Sequence, residues 1–402
     1  MASDWLTSRN FRNSTGISKS IQELAAKKNV STLKEYCNDL GDSNKVFCSH
    51  WLDNRNILCG TKCNKLWLVD SETNYTYQIP TLFPSKRDDS GDSYQDQCSN
   101  SHLVSRGIHA IGINESNTCL AVSGGFPEDV AFYSLPDLSP LGLGVGHQEW
   151  IFSLTWLKNS VLITGANDGQ MQLWDASQTF SNYNSIYSEH CPTIEPIASL
   201  ENKPEDARDK IRSLVYSERL NALASLQTGY SRAALSLWDV ELLKPIYRYD
   251  LSHCAENVCM KYNPEHNIFG IGSRQAVTLF DPREWPSSDN SKEVVSIDKS
   301  WGVRSIAYNE HILSIGTGRG NVYFFDLRAW RYLETDEGEH LALRTSEGWI
   351  RHDNNYYTFF NSIPKLPNAI YSHSYSPDNR KMYIAGGPLQ LGLCGNYSSI
   401  WQ

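Results

Sequence analysis

Ile163-Thr-Gly-Ala-Asn-Asp-Gly-Gln-Met-Gln-Leu-Trp-Asp175 is the stretch on which the fold turns. It reads as a strand, a turn of Gly and small or polar residues, and a second strand closing on an aromatic and an acid. The same order returns as Leu58-Cys-Gly-Thr-Lys-Cys-Asn-Lys-Leu-Trp-Leu-Val-Asp70 and as Val122-Ser-Gly-Gly125 running to Phe132-Tyr133. A fourth copy ends Leu235-Ser-Leu-Trp-Asp239; the fifth spans Ile271 to Asp281 and the sixth Ile315 to Asp326. A last copy opens at Ile384-Ala-Gly-Gly387 and ends at Ile400-Trp401, which makes seven. Several endpoints lie roughly 40–45 residues apart, the period of a four-stranded propeller blade with a Trp-Asp ending.

These copies predict an all-β protein, a seven-bladed WD-repeat β-propeller with a short N-terminal helical extension. The extension is assigned to 1–36 and the propeller to 37–402, with insertions near 80–103, 178–208 and 329–366 where the intervals widen. Leu33 to Leu40 is expected to supply the outer strand that the last blade otherwise lacks. In the extension, Ser20-Ile-Gln-Glu23 is a capping box, followed by Leu24-Ala-Ala-Lys-Lys28.

Composition agrees. Among 402 residues, 12 Trp and 21 Tyr stand beside only four Met, which suits pleated, half-buried surfaces. The 36 basic and 45 acidic residues leave a net charge of −9, which counts against a general nucleic-acid binder. No uncharged apolar run approaches the ~18 residues of a membrane-spanning helix, and the first ten residues carry no secretory signal. The ten Cys are scattered without a CxxC pair, so neither a metal site nor another cofactor is expected. They read as reduced thiols of a cytoplasmic or nuclear protein.

A second signature precedes each Gly turn. Ile151-Phe-Ser-Leu-Thr-Trp156, Ile211-Arg-Ser-Leu-Val-Tyr216 and Val303-Arg-Ser-Ile-Ala-Tyr308 share one pattern, and four looser versions complete the set of innermost strands. The second residue of each defines a ring: Phe47, His109, Phe152, Arg212, Val258, Arg304 and Tyr371. The residue after each Gly-small pair defines another: Lys62, Phe126, Asn167, Arg274, Gly318 and Pro388, the fourth blade being ambiguous. Both rings are expected at one mouth of the central channel, joined by Lys45. Lys45, Lys62, His109, Arg212, Arg274 and Arg304 would then converge where neither ring holds an acid. Such a pocket suits a small anionic group held by charge-assisted hydrogen bonds. A phosphate or an internal acidic motif, read by a propeller of some other assembly, would fit it too.

His147, Thr164 and Asp168 look like a catalytic triad. With Trp174, however, they match the hydrogen-bonded tetrad of a WD repeat, and the chain offers no credible nucleophile. At the opposite mouth, Phe280-Asp281-Pro-Arg283 and Phe325-Asp326-Leu-Arg328 repeat an aromatic-Asp-x-Arg motif in adjacent blades, as a docking surface would.

The stretches Asn44-Lys-Val-Phe47, Cys59-Gly-Thr-Lys-Cys-Asn64, Gly146-His-Gln-Glu-Trp-Ile-Phe-Ser153, Glu256-Asn-Val-Cys259, Glu310-His-Ile312 and Ala385-Gly-Gly-Pro-Leu389 resemble the adaptor- and cullin-4-associated factors of the twelfth type. These are WD-repeat substrate receptors of cullin-RING ubiquitin ligases. The resemblance covers the whole propeller and is loose in the N-terminal part. It implies a non-enzymatic subunit whose helical N-terminus and Asp-x-Arg blades dock to the damaged-DNA-binding adaptor, and through it to cullin-4. It also implies a mouth that binds substrates ending in Glu-Glu, with Lys45, Lys62, His109, Arg212 and Arg304 at matching positions and no direct contact to nucleic acid or membrane. One position departs: the family has Arg where this chain has Asn167, for which Arg274 would compensate.

Overall fold

The computed structural model describes residues 27–28, 30–82, 107–124, 128–180, 191–201, 209–284 and 291–402. The strands form seven sheets. The innermost strands are Val46–Trp51, Ile111–Ile113, Ile151–Trp156, Lys210–Ser217, Cys259–Asn263, Val303–Asn309 and Asn368–Tyr375. Each packs against the innermost strand of the next blade, and the seventh returns to the first, so the ring is closed.

The repeated residues explain that closure. Gly165 admits the neighbouring blade, because a Cβ there would lie 2.3 Å from Ile211 Cγ2. Gly316 does the same towards Ile370, at 2.8 Å. In several blades the small residue after the ring position then links to the next blade: Ser305 Oγ donates to Ile370 O at 2.8 Å, and Ser153 Oγ accepts from Leu214 N at 2.7 Å. Cys48 plays that part in the first blade, its Sγ donating to Ile108 O at 3.4 Å. Between blades lie apolar clusters such as Leu40, Val46, Ile57, Cys59, Tyr383 and Ile400, which join the last blade to the first.

Glu35–Cys37 pairs antiparallel with Gly395–Trp401, Tyr36 opposite Ile400, and gives the last blade its outer strand. The 36/37 division drawn from sequence falls inside this strand. Of the expected N-terminal helix only Lys27 and Lys28 are described; the capping box lies outside the described residues. Residues 30–32 are helical, and Val30 and Leu33 pack on the cluster of Ile312, Met382 and Trp401.

Two intervals read as insertions also carry blade structure. Ala198–Glu201 is the outer strand of blade three, and Thr193–Ile194 adds in parallel to Pro140–Gly144 of blade two. Arg331–Tyr332 and Ala342–Arg344 share the outer position of blade six. These added strands are short and partly exposed, so their alternation is lost among polar residues.

Candidate functional site

The ring residues owe their orientation to the backbone. The innermost strands of blades one, three, four, six and seven each break register by one residue, and the residue left over is Phe47, Phe152, Arg212, Arg304 or Tyr371. A bulge of this kind re-aims one side chain out of the ladder. In blade two the ladder starts later, because His109 N and Ala110 N donate to Ser123 Oγ at 3.0 and 3.3 Å. Phe47, His109, Phe152, Arg212, Val258, Arg304 and Tyr371 together enclose a cavity of about 160 Å³ at the channel mouth.

The second ring lies at the same mouth, with Phe126 outside the described residues. Lys62 N donates to Lys45 O at 2.8 Å, Asn167 N to Trp150 O at 2.8 Å, and Gly318 N to Gly302 O at 3.0 Å, each acceptor two residues before a first-ring residue. Blade five has one residue more, since Arg274 N donates to Ala255 O at 3.0 Å. The extra residue is Glu256, in the left-handed region at φ 60°.

Glu256 changes the electrostatics expected of the mouth. Neither ring holds an acid, but this loop carboxylate accepts from Arg304 Nη2 at 2.5 Å and lies 3.9 Å from Arg274 Nε. Asn167 Nδ2 donates to Glu149 Oε2 at 3.5 Å. In blade four, ambiguous from sequence, Arg232 pairs with the buried Asp209 at 2.8 Å. The signal for Glu256 was one extra residue before Val258, visible only once the register is known.

Three of the expected cations line the cavity itself. His109 stacks on Phe47 with ring centroids 4.5 Å apart, and the Arg212 guanidinium lies 4.3 Å over Phe152. Burial lowers the Arg212 pKa to about 10, and Arg304 adds to the fall. Arg304 also donates through Nε to Trp301 O at 3.3 Å. Lys45 and Lys62 sit beside the cavity rather than in its lining. Lys45 is buried and donates to Gln390 O at 3.0 Å; burial, then repulsion from Lys62, brings its pKa down to about 8. Arg274 is half exposed above Glu256. The expected convergence is therefore a core of His109, Arg212 and Arg304 flanked by two lysines and one rim arginine.

The resemblance to a catalytic triad resolves into a closed network. His147 Nε2 and Thr164 Oγ1 are 2.7 Å apart, His147 Nδ1 and Asp168 Oδ2 3.2 Å, and Trp174 Nε1 donates to Thr164 Oγ1 at 2.9 Å. Among the described residues no group of three His, Cys, Asp or Glu is placed to hold a metal.

The two Asp-x-Arg motifs lie towards the other end. Asp281 and Asp326 accept from the backbone N of Arg283 and Arg328, at 2.9 and 2.8 Å, and so cap their turns. Asp70, Asp175 and Asp239 do the same in their blades, which makes the acid a feature of the repeat. Arg283 forks onto Asp281 at 2.6 Å and stays 60% exposed, whereas Arg328 is 20% exposed. Of the four, Arg283 is the one most open to a partner. The exposed Trp330 lines the same small groove as Arg283.

Residues 30–402 match the family model described as DDB1- and CUL4-associated factor 12 beta propeller, and the chain belongs to that family.

Proposed function

As a member of the DDB1- and CUL4-associated factor 12 propellers, this chain is, we propose, the substrate receptor of a cullin-4 RING ubiquitin ligase. Its cationic mouth would hold the C-terminal Glu-Glu of the proteins it recruits. The observation that carries this reading is the gathering of His109, Arg212 and Arg304 around one cavity of about 160 Å³. Arg212 and Arg304, like charges brought together and partly stripped of water, are costly in the empty protein. An anion repays that cost, and a terminal Glu-Glu brings three carboxylates to the place where it arises. A chain end can enter so narrow a mouth end-on, whereas an internal carboxylate would need the backbone to pass across the rim.

The role is positional and needs no nucleophile. Holding a substrate by its end while the other propeller face engages the DDB1 adaptor raises the effective concentration of substrate lysines near the ligase. Arg283, Arg328 and the N-terminal segment are the elements assigned to adaptor docking, in cytoplasm or nucleus. At the position where the resemblance implies an arginine, Asn167 Nδ2 donates to Glu149 Oε2 at 3.5 Å. The amide still meets the acid, and Arg274 carries the charge from the next-but-one blade.

The test is fluorescence anisotropy with a peptide ending in Glu-Glu and the same peptide amidated at its C-terminus. Micromolar or tighter binding that amidation abolishes is the expected result. Binding indifferent to amidation would transfer the reading to phosphate or internal acidic motifs. Absence of binding to either would remove it.

A further inference from the structure

Beside the mouth lies a second, larger concavity that neither ring predicted. It is a groove of about 620 Å³ between blades six and seven, walled by Trp301, Tyr323 and Leu366 and edged by Arg319, Arg344 and Lys365. Its position follows from the blade geometry. Arg319 is the residue after Gly318 of the second ring, and Arg344 stands opposite Asn321 in the outer strand of blade six. Trp301 is shared with the mouth, since its carbonyl takes the Nε–H of Arg304 while the residue lines the groove.

The acids near these cations leave most of the charge uncommitted. Asp298 is buried and already accepts from Thr317 Oγ1 at 2.8 Å and Asn321 Nδ2 at 2.9 Å; Arg319 Nη1 reaches it only at 3.8 Å. Arg344 and Glu339 are 4.0 Å apart and about 70% exposed, a geometry that exchanges readily with solvent or another carboxylate. Trp301 and Leu366 offer apolar surface to the methylene stems of acidic side chains.

We propose that this groove is a second binding site, taking the acidic side chains that precede the terminus held in the mouth. The proposal rests on the reading of the mouth given above. An extended chain advances ~3.3–3.6 Å per residue, so the residues just upstream of the terminal pair would leave the mouth past Trp301 and meet the groove that it lines. The receptor then reads an acidic tail, with the mouth selecting the terminus and the groove grading affinity by the charge upstream.

The experiment compares two labelled peptides that both end in Glu-Glu, one with four Glu residues upstream and one with Gln at those positions. Each is titrated with the full chain, wild type and the doubly substituted R344E/K365E. The wild type should prefer the acidic peptide by roughly tenfold, the sum of two or three exposed pairs. The variant should lose that preference while binding the Gln peptide within about twofold of wild type, and its unfolding temperature should be unchanged. Equal affinity of the wild type for both peptides, or a preference surviving in the variant, would overturn the groove and leave the mouth standing. Failure of the wild type to bind the Gln peptide would instead remove the mouth reading, and the groove's role as its continuation with it.

Discussion

The tetrad of blade three and the cationic mouth are both clusters of polar side chains close to the channel, and they are built on opposite electrostatic terms. In the tetrad each group has its complement: imidazole against carboxylate and hydroxyl, hydroxyl against indole N–H. Nothing is left for a ligand, so the cluster is a fastener. At the mouth, burial and then Arg304 bring Arg212 down to about 10, and Lys45 is held down to about 8 by burial and Lys62. Among the described residues, Glu256 answers Arg304 from a loop. A polar cluster that satisfies itself is structural; one that repels itself is waiting for a counterion.

The sharpest way to break this comparison is a pair of substitutions. Arg304→Glu should weaken a Glu-Glu peptide by at least about 100-fold, since it removes one partly buried cation and adds a repelling anion. Its unfolding midpoint should stay close to wild type. His147→Ala should do the reverse, costing on the order of 2–3 kcal/mol in stability as Thr164 and Asp168 lose their partner, with peptide affinity retained. Paired binding and denaturation curves decide it, and an Arg304→Glu protein that binds normally would dissolve the distinction.

A smaller effect concerns Lys45. A lysine whose folded pKa is lowered costs stability while it is charged. That cost is complete below about 8 and disappears above the unfolded value near 10.4. Lys45→Met should therefore stabilise the unliganded protein by roughly 1–3 kcal/mol at pH 7, with no gain at pH 11. It should also flatten the fall in peptide affinity that the wild type shows as pH rises through about 8. A variant no more stable than wild type at pH 7 would mean that Lys45 carries no such penalty.

The smallest expected change is the most discriminating. Glu256 accepts from Arg304 in the empty mouth, so a peptide carboxylate must compete with it. Glu256→Gln should tighten the peptide several-fold, in contrast to Arg304→Glu at the other end of the same ion pair. Titration calorimetry would register it, and weaker binding would show that Glu256 positions Arg304 rather than competing for it.

Much of this was legible in the chain because the repeat supplies its own register. The Gly at positions 60, 165 and 316 marks where the next blade must dock, and the Ser of Ile-Phe-Ser and Val-Arg-Ser marks the link between blades. Once those are aligned, the seven residues that line the mouth follow from counting, and the structure encloses one cavity with those seven. The outer strands were less legible. Ala198–Glu201 and Ala342–Arg344 carry too few alternating residues to stand out from the polar stretches around them.

What the sequence determined by itself, then, was everything that depends on period: seven blades, a closing strand near the start of the propeller, and the identities of the ring. Those follow from spacing along the chain, because each blade repeats one local geometry. What only the tertiary structure decided was everything that depends on a loop reaching across the ring. The extra residue at Glu256 turns a carboxylate onto Arg304, and Lys45 leaves the cavity for Gln390 O. Arg319, Arg344 and Lys365, dispersed over 47 positions of the chain, become neighbours around one groove. Charge acts through space with no regard to spacing in sequence, so the balance at the mouth could be known only after the blades had been set side by side.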